Sequence, residues 1–204
     1  MNDFLQRMGS AVCHQMAERS FMMEGMQMPL CARCTGIYIG AFFAFCFLFL
    51  RKRMQADTFT LPQAFLTALA ILPVGIDGVG SYLGFWESSQ MMRVFTGSLV
   101  GVVTPGFLLV AGNYDPEQKE GQPVYEKTGE LLLMMVISVG LGFCLLTELP
   151  LYWAGAMVSV LGQVLLWGGV VWLVLKNMVK KGFPCWQISL AVSFAVLFLI
   201  GGLV

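Results

Sequence analysis

Apolar residues fill long uninterrupted runs of this chain, and polar residues collect in the short stretches between them. A hydrocarbon core about 30 Å thick needs roughly 20 apolar residues in a helix. Six stretches fit: 31–50, 61–79, 92–111, 129–149, 153–175 and 185–204. The pattern predicts an all-α polytopic transmembrane bundle of about six spans. A segment of 30 residues precedes the first span, and the chain divides into that segment and a membrane domain over 31–204. The second stretch contains Pro73, Gly75, Gly78 and Gly80, with Asp77 near its end, so a kink or partial unwinding is expected there. Glycines at 140, 142, 155, 162, 168 and 169 give the fourth and fifth spans small faces suited to close packing. Trp86, Tyr152 and Trp153 near span ends read as interface aromatics.

Composition agrees with this reading. The chain of 204 residues is 57% hydrophobic and 12% charged, where soluble domains carry about 25% charged residues. Net charge is zero. No basic block or aromatic-interleaved basic face suggests nucleic acid. Asp3, Arg7, Glu18, Arg19 and Glu24 interrupt the first 30 residues too often for the apolar core of a signal peptide. The first apolar helix is therefore expected to stay in the protein.

Connections on the cytoplasmic side are enriched in Lys and Arg. Arg51, Lys52, Arg53, Lys119, Lys127, Lys176, Lys180 and Lys181 share one side if both termini lie outside, leaving Arg7, Arg19, Arg33 and Arg93 on the other. Eight against four predicts extracytoplasmic termini in a multi-pass protein of the cell membrane. Residues 112–128 then form a solvated cytoplasmic loop. The partner this implies throughout is the lipid bilayer.

The same orientation sets Cys13, His14, Arg19, Cys31 and Cys34 at the outer face, together with Asp77, Glu87, Ser88 and Arg93. Pro29 suits the first turn of a helix, so Cys31 and Cys34 are expected at i and i+3 on one face of the first span, at its positive end. That end and Arg33 favour thiolates. A metal wants two or more thiolates close together; a redox pair wants one reactive thiolate and a resolving partner. Cys13 and His14 extend the set to Cys₃His, a zinc complement. Adjacent residues diverge by about 100° on a helix, so both ligate only if the helix ends there; otherwise the site keeps an open position. Zinc with an open position polarises a substrate or generates hydroxide. The remaining cysteines, at 46, 144 and 185, read as incidental.

Asp77 and Glu87 are candidates for acid–base work, with Arg93 expected to pair with Asp77 across the second and third spans. Arg19 and Arg33, with Ser88, are candidates for holding a phosphate or carboxylate. Met22, Met23, Met26 and Met28 read as the apolar face of an interfacial segment, with Cu(I) ligation as the alternative.

At "CHQ", "ERSF" and "PLCARCTGIYIG", and again at "PVGIDGVG" and "ESSQMMRVFTG", the sequence resembles a family of small polytopic prokaryotic membrane proteins known as a domain of unknown function. The resemblance covers roughly the first half of the chain. It implies a six-span type of membrane protein with a shared outer polar site at Cys13, His14, Arg19, Cys31, Arg33, Cys34, Asp77, Glu87, Ser88 and Arg93. It implies no activity. Three functions are carried forward: an outer-face zinc protein, acting enzymatically on an anionic lipid or other membrane-associated small-molecule substrate; a thiol–disulfide oxidoreductase using Cys31 and Cys34; and a small-solute or ion transporter with Asp77 in its path.

Overall fold

The computed structural model describes residues 1–115, 117, 121–147, 150–178 and 185–203. Lys119, Lys180, Lys181 and the side chain of Cys185 lie outside the described residues. The described elements are α1 (Asn2–Ser10), a 3₁₀ turn (Ala17–Arg19), β1 (Ser20–Met23), β2 (Met26–Cys31), α2 (Ala32–Leu50), α3 (Leu61–Tyr82), α4 (Gln90–Asn113), α5 (Thr128–Cys144), α6 (Tyr152–Met178) and α7 (Cys185–Ile200). Four helices (α2, α3, α4 and α6) are long and apolar enough to cross a membrane, and two shorter apolar helices join them at 128–144 and 186–200.

The fold departs from an all-α bundle in one place. Residues 20–31 form an antiparallel hairpin with Met23 opposite Met26. Glu24 and Gly25 both have positive φ, at 51° and 73°. That is the two-residue turn whose twist suits a hairpin. Phe21, Met23 and Met28 turn inward while Met22 stays exposed, so the methionines are a strand's alternation rather than one helical face. Pro29 therefore sits in β2, not in a helix, and α2 begins at Ala32.

α2 and α4 are the most intimately packed pair, and α4 is the central helix: 61% of its apolar window is buried against 22% for α3. The reason is a reciprocal ladder of small residues. A Cβ at Gly97 would meet the Arg33 carbonyl oxygen at 2.3 Å, and one at Gly101 would meet that of Ile37 at 2.1 Å. Gly36 and Gly40 likewise abut the carbonyls of Val94 and Ser98. Small residues four apart on two facing helices allow backbone-to-backbone approach. Among the glycines expected to pack, Gly162 of α6 does so against the Tyr38 carbonyl, whereas Gly140 has no neighbour within 4 Å of a built Cβ.

The ladder also fixes depth. Arg33 opens α2 yet lies beside Gly97, seven residues into α4. Gly36 beside Val94 sets the other limit, so at 1.5 Å per residue the start of α2 is recessed by roughly 5 Å from the start of α4. The N-terminal segment fills the recess. The Gln163 side chain donates to the Met8 carbonyl at 2.7 Å, and Ser10 Oγ donates to that of Gly201 at 3.2 Å. Tyr152 is fully buried there, packed with Leu5, Met28 and Leu197; it is a core residue and not an interface anchor. Trp86 stays exposed.

α3 runs unbroken to Tyr82 through Pro73, so the expected unwinding does not occur. A proline removes one helical hydrogen bond, and the bonds around it carry the helix through. At the opposite end of the bundle, Arg51 pairs with Glu126 and Glu130, and Arg53 with Glu126. Lys176 donates to Asn113 Oδ1 at 2.7 Å. The C-terminal ends of α2, α4 and α6 therefore meet at one end, beside the start of α5.

Candidate metal centre

Three separate pieces of chain deliver three thiols to one point. α1 ends in a turn that brings Cys13 inward, with its N–H donating to the Gly9 carbonyl at 3.1 Å. Gly9 itself faces the Pro29 carbonyl so closely that a Cβ would stand 2.0 Å from its oxygen. The hairpin returns the chain as β2, placing Cys31 at the N-cap of α2 and Cys34 three residues inside it. The Cys31 N–H donates to Cys13 Sγ at 3.3 Å. The sulfur atoms of Cys13, Cys31 and Cys34 lie within 4.8 Å of one another. All three are free thiols, with Cys13 buried and the others half-buried.

Electrostatics divide the thiols. The Cys31 thiol is held well below the ordinary range because the Cys13 and Cys34 thiols donate to its sulfur, aided by the backbone N–H groups of Cys34 and Arg33. Cys13 is pushed up, first as the donor to Cys31 and then by burial. The N-cap position of α2 also suits a negative sulfur, as a helix N-terminus does.

The geometry fits a thiolate-bound metal. Zinc–sulfur bonds of about 2.3 Å in a tetrahedron set sulfurs roughly 3.8 Å apart, so the cluster needs to contract by at most about 1 Å. His14 is exposed and outside this group. Cys13 is turned into the core, whereas its neighbour His14 stays at the surface. Tyr38, one turn after Cys34, completes the inner wall: it packs with Cys13 and Leu30, and its hydroxyl accepts from the Trp167 indole at 3.2 Å. Sequence reading missed Tyr38, although its i+4 spacing from Cys34 was a usable signal. Cys46 is half-buried and Cys144 exposed, away from the cluster.

A polar cavity of about 550 Å³ lies between the 3₁₀ turn and the α3–α4 connection, lined by Glu18, Arg19, Trp86, Glu87, Ser88 and Arg93 among others. Asp77 is buried and pairs with Arg33. Arg33 thus takes the place foreseen for Arg93, because the recess of α2 brings Arg33 level with the buried part of α3. Arg93 is also buried, and its Nε donates to the Ser88 carbonyl at 3.1 Å. Ser89, not Ser88, caps α4 by accepting from the Met92 N–H at 3.2 Å. Arg33 Nε is buried without a hydrogen-bond partner among the described residues, and the Ser88 hydroxyl lies beside the Asp77 carboxylate. Glu87 is exposed, and Arg19 lies 3.6 Å from Glu18 at the rim.

Comparison with known proteins places the same region. Residues 13–106 match the family model described as "Predicted membrane protein (DUF2085)". That span starts at Cys13 and contains the thiols, the Arg33–Asp77 pair and Arg93. An uncharacterized protein of Methanothermobacter thermautotrophicus is 37% identical over 91 residues, covering 45% of this chain and 78% of that protein. An uncharacterized protein of Methanocaldococcus jannaschii is 34% identical over 100 residues, covering 49% of this chain and 63% of that protein, which is under two thirds of its length. No solved structure matches.

Proposed function

Because the chain belongs to the DUF2085 family of predicted membrane proteins, we propose that it is a multi-pass membrane protein built around a zinc centre held by Cys13, Cys31 and Cys34. The observation that carries this reading is the convergence of three thiols from three chain segments within 4.8 Å. Three thiolates leave a fourth position to water or a substrate oxygen, the arrangement of a catalytic rather than a closed site. The reading is a metal-dependent enzyme acting on a lipid or other membrane-associated substrate. When bound, zinc would polarise that substrate or its water. Asp77 is neutralised by Arg33, which leaves the exposed Glu87 on the cavity to move protons.

Purified protein is expected to carry about one zinc per chain, and Cys34→Ser to remove it, as read by elemental analysis beside a free-thiol count. The same sulfur proximity supports a second reading, thiol–disulfide exchange through Cys31 and Cys34. Metal-free protein with those two cysteines oxidised would favour it. Metal-free protein with all thiols reduced and unreactive would sink both.

The proposal includes six spans, with α5 and α7 as the short ones, and both termini outside the cell. The Lys/Arg asymmetry supports this, as does the gathering of Arg51, Arg53 and Lys176 at one end. A protease site inserted in the connection at 83–87 should be cut in intact cells, and one at 121–124 only after lysis. The reverse pattern would invert the topology.

A further inference from the structure

Arg93 presents an unmet demand. It is 8% exposed, and no carboxylate lies within ion-pair distance of it among the described residues. Its neighbours compensate only in part: Asp77 acts on it from beyond ion-pair distance, and Glu18 and Glu87, which also line the cavity, are exposed. Arg33 is committed to Asp77, and Arg19 to Glu18 at the rim. A buried guanidinium without a counter-charge is costly, and this one lines a cavity of about 550 Å³ open to solvent. Ser88 lines the same cavity, with its hydroxyl turned to Asp77. A volume of that size holds a headgroup rather than a bare ion.

We infer that this cavity binds a phosphate-bearing lipid headgroup, with the guanidinium of Arg93 as its anchor. Guanidinium presents paired N–H donors that match phosphate oxygens. Arg19 adds a second cation at the mouth. The surroundings point to a lipid. Tyr82, Leu83, Phe85 and Trp86, in the connection that borders the cavity, are all exposed, as aromatic residues at a membrane interface are. Trp86 is held in place by Gly80, where a Cβ would stand 2.2 Å from its ring. The inference deepens the zinc reading by naming the substrate class, and it rests on that reading only for what happens to the bound headgroup.

The test is calorimetric titration of the full-length protein in detergent with two probes, inorganic phosphate and dihexanoyl phosphatidic acid. Saturable binding of one equivalent is expected, weakened at least about tenfold by Arg93→Gln and only partly by Arg93→Lys. Tighter binding of the lipid than of phosphate identifies a headgroup site. Equal binding identifies free phosphate as the ligand and overturns the lipid assignment. No saturation by either probe, or Arg93→Gln binding like the native protein, overturns the proposal outright. Zinc is measured in every sample. Arg93→Gln should keep its metal, and Cys34→Ser should lose metal while still binding the probe. Loss of probe binding in a folded Cys34→Ser protein would put the anion on the metal and overturn Arg93 as anchor. Probe binding by native protein without zinc would sink the zinc reading and leave this one standing.

Discussion

Gly101→Val is expected to destabilise the protein by about 3 kcal/mol or more, the upper end of what overpacking costs. Its Cβ would stand 2.1 Å from the Ile37 carbonyl oxygen and 2.8 Å from the carbonyl carbon. Both contacts are backbone of α2, so no side chain can rotate away, and the helices must separate by an ångström or more. The separation would propagate along the ladder to Gly97 and Arg33, the turn of α2 that carries Cys34. Lower zinc content is therefore expected alongside lower thermal stability in detergent. Gly140→Ala is the control, because nothing lies within 4 Å of that Cβ. It should be neutral, or stabilising by up to about 1 kcal/mol through helix propensity. Equal stability of Gly101→Val and native protein, or equal damage from Gly140→Ala, would refute the ladder as the organising contact.

How much of this was legible in the sequence depends on which physical signal each feature leaves. The helices left the strongest one, since hydrocarbon-length apolar runs have few other uses, and the four long helices follow the expected stretches closely. The hairpin left a weaker signal that was available: a two-residue Glu24–Gly25 turn between short alternating strands. It was hidden because methionine fits a helical face and a strand face alike. The ladder was also available, as small residues at 36, 40, 97 and 101; of the glycines expected to pack in α5 and α6, those at 142, 155, 162, 168 and 169 meet close neighbours and Gly140 does not.

The candidate site was legible as a residue set and not as a wiring diagram. Cys13, Cys31 and Cys34 converge because the hairpin folds β2 back beside α1, so any reading that brought the segment back would unite them. His14 falls outside: it stays exposed where the chain leaves α1, while its neighbour Cys13 is buried. The partner of Asp77 was not readable at all. Sequence order joins Asp77 to Arg93 through one short connection, whereas the recess of α2 presents Arg33 to the buried turn of α3. Depth is set by the α2–α4 ladder, and no local pattern around Asp77 encodes it. The same recess leaves Arg93 without a carboxylate.

That wiring gives the second large effect. Asp77→Asn is expected to cost about 3–5 kcal/mol, the usual consequence of removing one partner from a buried ion pair. The Asp77 side chain is 4% exposed and that of Arg33 21%, so little water is available to take over. Asparagine can still accept a hydrogen bond, but it leaves the guanidinium charge uncompensated beside Arg93, which is itself unpaired. α3 has few other attachments at this end: it is the least buried of the four long helices. Its C-terminal half should therefore loosen first, with the exposed connection at 83–87 becoming more sensitive to protease. Arg33→Gln alone should cost a similar amount, because it strands the carboxylate instead. The double variant Arg33→Gln/Asp77→Asn decides the matter. If the two groups stabilise the protein as a pair, the double variant loses less than the sum of the single losses by at least about 1 kcal/mol. Additive losses in thermal unfolding would mean that Asp77 and Arg33 act separately, and that α3 is held over the thiol cluster by something other than their ion pair.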